Sequence, residues 1–119
     1  MMREFKSSLS SPIIIRVLDE PDPNAGGACH EYAFIVEATG EEVGRICFQH
    51  GPIKIAGVNG PQHLDLEAII VDRLEHFQRG PFSGRENALE MTHIQDAMHW
   101  SEHRTADRIR RQVEGRNEK

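Results

Sequence analysis

The stretch Phe48-Gln49-His50-Gly51-Pro52-Ile53, with Gly57-Val58-Asn59-Gly60-Pro61 after it, divides the chain into two kinds of sequence. Before it, apolar residues cluster in short β-forming runs; after it, they recur at helical spacing. Gly, Asn, Gln and His make a poor core. Glycines permit close backbone approach and positive φ, however, and Pro61 suits the first turn of a helix. The backbone amides opening that helix then face whatever precedes them, an arrangement that can cradle a phosphate.

Upstream, Ile13-Ile14-Ile15-Arg16-Val17 reads as a strand, and Asp19 to Asn24 with Gly26-Gly27 reads as a loop. Glu31 to Ala38 and Val43 to Gln49 are rich in β-formers and flank Thr39-Gly40-Glu41-Glu42, which predicts a β-hairpin. Downstream, Leu64, Ala68, Val71, Leu74 and Phe77 mark a first helix running from Pro61 to about Gln78. Leu66, Ile69 and Ile70 lie off that stripe, and a helix apolar on several sides is buried on several sides. Ser83 with Glu86 matches a capping box, predicting a second helix to about Gln112. No Gly or Pro falls between Arg85 and Val113, so at 1.5 Å per residue that helix is roughly 40 Å long. The expected fold is α+β: a small N-terminal antiparallel β-sheet, then a long C-terminal two-helix hairpin. It is expected as one domain over 1–119, with a flexible terminus at 1–11, a sheet part at 12–60 and the hairpin at 61–113.

With 119 residues, 38% hydrophobic content and seven aromatics, the chain can build only a modest core, so self-association would help it. The net charge of −5 argues against a DNA or RNA binder, whose affinity comes largely from Lys and Arg neutralising phosphates. Cys29 and Cys47 are the only cysteines, too few for a disulfide scaffold and without CxxC spacing. No signal peptide or apolar run of roughly 20 residues is present, so a cytoplasmic protein without a membrane span is expected.

The second helix changes character along one face. Met91, Ile94 and Met98 are apolar; Ser101, Thr105 and Arg108 continue the stripe, with Arg104 and Arg111 beside it. These cations either form a solvated face that favours the helix dipole or, where helices of several subunits converge, a ring of guanidinium forks for phosphodiester oxygens. Phe77 falls on the core stripe, but Asn87 is hard to explain as core, because a buried amide needs partners. An aromatic platform with an amide is what a purine requires, one for stacking and one for its hydrogen-bonding edge. Phe82 and Arg85, in the same turn, are weaker candidates. Gln49, His50 and Asn59 are either turn residues or donors to a ribose or pyrophosphate. His99 and His103 share a helical face, yet no HExxH pattern or third ligand accompanies them, and no metal is expected. No nucleophile elbow, Walker A lysine or matched Cys–base pair is present, so neither catalytic residues nor a cofactor are expected.

These residues, joined by Ile70-Val71-Asp72-Arg73-Leu74, Phe77-Gln78, Glu86-Asn87-Ala88, Trp100, Arg104-Thr105, Arg108 and Val113-Glu114-Gly115, carry a family likeness. From about Ile46 to Gly115 the chain resembles the phage-encoded Thoeris anti-defence protein 1 family, which is related to the anti-CBASS sponge proteins. Residues 1–45 match only in general character. The resemblance implies a non-enzymatic sponge that sequesters glycocyclic ADP-ribose, the signal of bacterial Thoeris immunity, in the host cytoplasm. It implies ligand contacts at Phe77 and Asn87, with Phe82, Arg85, Gln49, His50 and Asn59 around them. A homo-oligomer follows, either a dimer or a hexamer built as a trimer of dimers. Its trimer contact would place Arg104, Thr105 and Arg108 around cyclic trinucleotides, and cyclic dinucleotides are a further possible partner. The alternative is an oligomeric structural or interaction protein with no small-molecule ligand.

Overall fold

The computed structural model describes residues 3–111, in two compact units that divide between Gly60 and Pro61. The first is a four-stranded antiparallel sheet in the order β1 (Glu4–Phe5), β2 (Ile13–Val17), β3 (Glu31–Val36) and β4 (Glu42–Cys47), followed by one turn of helix, α1 (Ile53–Ala56). The second is a hairpin of α2 (His63–Arg79) packed on α3 (Arg85–Arg110). The fold is α+β. Among the described residues, no helix is long and apolar enough to cross a membrane.

Alternation dictates the sheet. Ile13, Ile15 and Val17 pair with Val36, Phe34 and Tyr32 on one face, while Ile14 and Arg16 pair with Ile35 and Ala33 on the other. The expected β3–β4 hairpin forms, with shorter strands than predicted and the turn opened by Gly40 at φ 74°. Its ladder slips: Phe34 faces Gly44 but Ile35 faces Glu42, so Val43 is bulged out and stands 56% exposed. Glu4–Phe5, in the stretch expected as a flexible terminus, adds a two-residue exposed edge strand, and Arg16 Nε donates to Glu4 Oε2 at 2.7 Å.

Both helix starts differ from the sequence expectation. Helix α2 begins at His63, not Pro61. Gln62 is its N-cap, and a capping box joins the Gln62 side chain to the Asp65 amide while the Gln62 N–H donates to Asp65 Oδ2 at 2.9 Å. Helix α3 begins at Arg85 with Gly84 as N-cap and no side-chain cap, so Ser83 and Glu86 do not form the expected box. Gln78 takes over that role: its Oε1 accepts from the Gly84 N–H at 2.9 Å and its Nε2 donates to the Gly84 carbonyl at 3.1 Å. The 26 residues of α3 span about 39 Å; the end expected at Gln112 lies outside the described residues.

Burial is thin. Only Val17, Ala33 and Ile35 in the sheet unit and Val71 and Leu74 on α2 are buried apolar side chains among the described residues. The hairpin keeps Ile69, Leu89, Trp100 and Ile109 exposed, at 41–62%. Of the off-stripe residues that the sequence predicts to be buried, Ile69 and Ile70 instead stand 60% and 39% exposed, because α2 packs on α3 along one face only in this hairpin.

Candidate functional site

The turn between α2 and α3 gathers four of the expected ligand residues: Phe77, Phe82, Arg85 and Asn87. Phe77 ends the apolar stripe yet is 39% exposed, and Phe82 is 74% exposed. Two rings left in water beside one another's turn are costly to a fold and useful to a planar ligand. The Arg73 guanidinium lies 5.4 Å from the Phe77 ring centre, a cation–π contact from the preceding helical turn. That contact was readable as an i, i+4 pair, although sequence reasoning did not single out Arg73. Asn87 is half-buried, and its Nδ2 donates to the Phe82 carbonyl at 2.9 Å. One amide hydrogen is thus used to fix the turn, and the Gln78–Gly84 pair closes it from the other side.

Gln49, His50 and Asn59 belong to the sheet unit, where they form a different structure. Asn59 Oδ1 accepts from the His50 N–H and its Nδ2 donates to the His50 carbonyl, each at 2.8 Å. Gln49 Oε1 accepts from the Asn59 N–H at 2.9 Å, while its Nε2 donates to the carbonyls of Gly57 at 2.7 Å and Gly51 at 3.1 Å. Both amide side chains therefore close the loop around α1. Gly60 is required there for packing: a Cβ would lie 2.5 Å from the Cys47 carbonyl oxygen, 2.8 Å from Phe48 C and 2.9 Å from Gln49 N.

The start of α2 also changes the phosphate reading. Its first turn carries its own anion, Asp65, and the Gln62 side chain occupies the Asp65 backbone amide. A negative side chain already seated at the positive end of the helix dipole competes with an incoming phosphate. The hollow of about 290 Å³ in the sheet unit, lined by Arg3, Val17, Leu18, Asp19, Glu20, Pro21 and Cys29, has no aromatic lining for a base.

His50 points elsewhere. Its Nε2 donates to Asp22 Oδ2 at 2.7 Å, and its ring stacks on His30 with centres 4.3 Å apart and planes 19° from parallel. The His50 bond, with a second from the Asn24 amide, holds the Asp22 carboxyl below the usual carboxylate range. Asp19 completes the group, accepting from the His30 N–H at 2.9 Å and the Glu31 N–H at 3.2 Å. Sequence reasoning missed Asp19, Asp22 and His30, because donors spread across 19–50 make no motif.

At the far end of α3, Arg104 is exposed, Thr105 half-buried and Arg108 only 5% exposed. Arg108 is engaged within the chain, so it does not stand beside Arg104 as a second free fork. Asp107 pairs with Arg110 at 2.6 Å and Arg111 at 3.0 Å, and these bonds hold its carboxyl low. His99 and His103 flank the exposed Trp100 edge-on, at 5.6 and 5.5 Å between ring centres.

Comparison with known proteins places the hairpin. A stretch of 72 residues, 60% of this chain, is 44% identical to the protein named Thoeris anti-defense 1 from Bacillus phage SBSphiJ7. The match covers 51% of that relative, so the chain spans about half the length of the protein it matches. The family model described as Acb2/Tad1, hairpin domain, matches residues 40–106, which run from the β3–β4 turn through the exposed aromatic turn into the cationic part of α3. With more than half of its length matched, and its two helices forming the hairpin described above, this chain belongs to the Acb2/Tad1 hairpin-domain family.

Proposed function

We propose that this protein is a phage anti-defence sponge that captures a cyclic ADP-ribose signal of bacterial Thoeris immunity, glycocyclic ADP-ribose in particular, and holds it unaltered in the host cytoplasm. The observation that carries the reading is the turn between α2 and α3, where Phe77 and Phe82 are left exposed and the Asn87 amide is fixed on the Phe82 carbonyl. Family membership and the name of the phage relative support it. An adenine stacks on the phenyl rings, the free edge of the Asn87 amide meets its polar edge, and Arg85 faces the pyrophosphate. Gln49, His50 and Asn59 act mainly by shaping their own loop, since their amide atoms already pair within it.

A sponge holds its signal stoichiometrically, which requires nanomolar affinity, or about −12 kcal/mol. A ring-closed nucleotide has few torsions to lose on capture, and enclosure between subunits strengthens each polar contact. The exposed Ile69, Leu89, Trp100 and Ile109 supply apolar surface for such an assembly, as a dimer or as a trimer of dimers. In the larger form Arg104 and Thr105 line a second site for cyclic trinucleotides, with Arg108 supporting them from within the chain.

The test is to load the purified protein with glycocyclic ADP-ribose, remove free ligand, denature by heat and identify what is released. Unaltered ligand in molar proportion to protein supports the sponge. A cleaved product identifies an enzyme, and no release at all leaves an oligomeric scaffold.

A further inference from the structure

We propose that Asp19, His30 and His50 form a binding site for a divalent transition-metal ion, held in place by Asp22 and lying wholly within the sheet unit. One ligand atom from each of the three residues lies within 4.8 Å of the other two. Two imidazoles and a carboxylate are the donor set that suits zinc and its first-row neighbours, and three protein ligands leave one position open.

Three features of the cluster point to a cation. His30 is 8% exposed, and its Nδ1 has no hydrogen-bond partner among the described residues. Asp19 Oδ2 stands 3.9 Å from it, outside hydrogen-bond reach. A buried ring nitrogen without a partner is uncommon, and in the tautomer that leaves Nδ1 unprotonated its lone pair faces the Asp19 carboxylate, a repulsion that a cation between them relieves. Next, Asp22 receives the Nε2 proton of His50 at 2.7 Å, which leaves Nδ1 of that ring as the lone-pair nitrogen. A carboxylate holding the far nitrogen of a histidine is the usual outer support of a metal ligand. Finally, the Asp19 carboxylate is oriented by the His30 and Glu31 amides, which use only part of its lone-pair capacity.

The geometry needs a closure and a turn of one ring. Metal–ligand bonds of 2.0–2.1 Å in a tetrahedron set the ligand atoms about 3.3 Å apart, against the present limit of 4.8 Å. The two imidazoles stack with planes 19° apart, so their lone pairs run side by side and one ring must turn for them to converge. His50, whose side chain is 44% exposed, turns about its Nε2–Asp22 contact, while His30, 10% exposed, stays as the fixed wall. The ion would tie the loop between β2 and β3 to the segment following β4. Such a staple matters in a unit whose buried apolar side chains are Val17, Ala33 and Ile35, because metal binding free energy adds to folding free energy.

The experiment uses tag-free, full-length protein stripped with a chelator and titrated calorimetrically with Zn²⁺ alone, in the absence of nucleotide. One ion per chain is expected. His50→Gln should weaken binding at least about 100-fold, and Asp22→Asn, a milder change beside the ligand, roughly 10- to 100-fold. Circular dichroism should show both variants folded. The double variant His99→Gln/His103→Gln should bind as the parent does. Absence of Zn²⁺ binding by the parent overturns the proposal, as does binding that survives His50→Gln and disappears in the His99/His103 variant. Because no nucleotide is present, either result leaves the sponge reading untouched.

Discussion

Replacing Gly60 by alanine separates architecture from ligand binding. The added methyl would meet three backbone atoms, at 2.5, 2.8 and 2.9 Å, none of which can rotate away as a side-chain tip would. Room is made only by moving the Cys47–Gln49 backbone, which also carries the His30 carbonyl bond to the Phe48 N–H and the Asn59 clamp. Overpacking of this kind costs about 1–3 kcal/mol, and backbone neighbours place it in the upper half of that range. For a chain of this size the melting temperature should fall by roughly 6–18 °C. Gly44→Ala is the matched control. There the nearest atom is Phe34 Cδ2 at 3.4 Å, an ordinary contact, and removing a strand glycine offsets any crowding. Thermal unfolding followed by far-UV circular dichroism reads both. A Gly60→Ala protein that melts within about 2 °C of the parent but loses nucleotide affinity would refute the packing argument and restore the glycine to a phosphate site.

Phe77→Ala should weaken glycocyclic ADP-ribose binding by about 1–3 kcal/mol, or 5- to 150-fold by calorimetry, with little loss of stability because the ring is 39% exposed. Asn87→Ala should also weaken binding while leaving assembly by light scattering unchanged; unaltered affinity in both variants rejects the pocket assignment. Arg104→Ala should abolish cyclic-trinucleotide binding and spare the ADP-ribose pocket, and a strictly dimeric protein would remove the basis for that second site. Asp107 titrates below its ordinary value because Arg110 and Arg111 bind it. Its contribution is therefore complete above the ordinary carboxylate range and is lost as pH falls through the lowered value. Amide chemical shifts over residues 105–111 should show the last turn of α3 loosening on acidification, and Asp107→Asn should remove that transition.

Element order was legible because it depends on short-range repeats. Ile13–Val17 alternates across a sheet, Leu64 to Phe77 recurs at 3.6 residues, and the Gly-rich stretch between them fits neither period. Helix starts were less legible. Ser83 and Glu86 have the right spacing for a capping box, but Gln78, five residues upstream of Ser83, reaches the Gly84 backbone first and satisfies it. At α2 the reverse holds: Gln62 and Asp65 form the box, although glutamine is not among the favoured N-cap residues.

The candidate sites divide along the same line. Phe77, Phe82, Arg85 and Asn87 lie within eleven residues, so one helix-to-helix turn fixes them, and the sequence alone brings them together. Gln49 and Asn59 also appear together in the sequence, yet the use of their amides on Gly51, Gly57 and His50 is a matter of folded geometry. The stacking of His30 on His50 against Asp19 is further from any reading of spacing. Strand pairing and loop closure bring those groups within a few ångströms across 31 residues of chain, and long-range contacts of that kind leave no periodic trace. Local periodicity determined the sheet, the hairpin and the aromatic turn; only the tertiary structure decided which polar side chains were spent on the backbone and which were left facing one another.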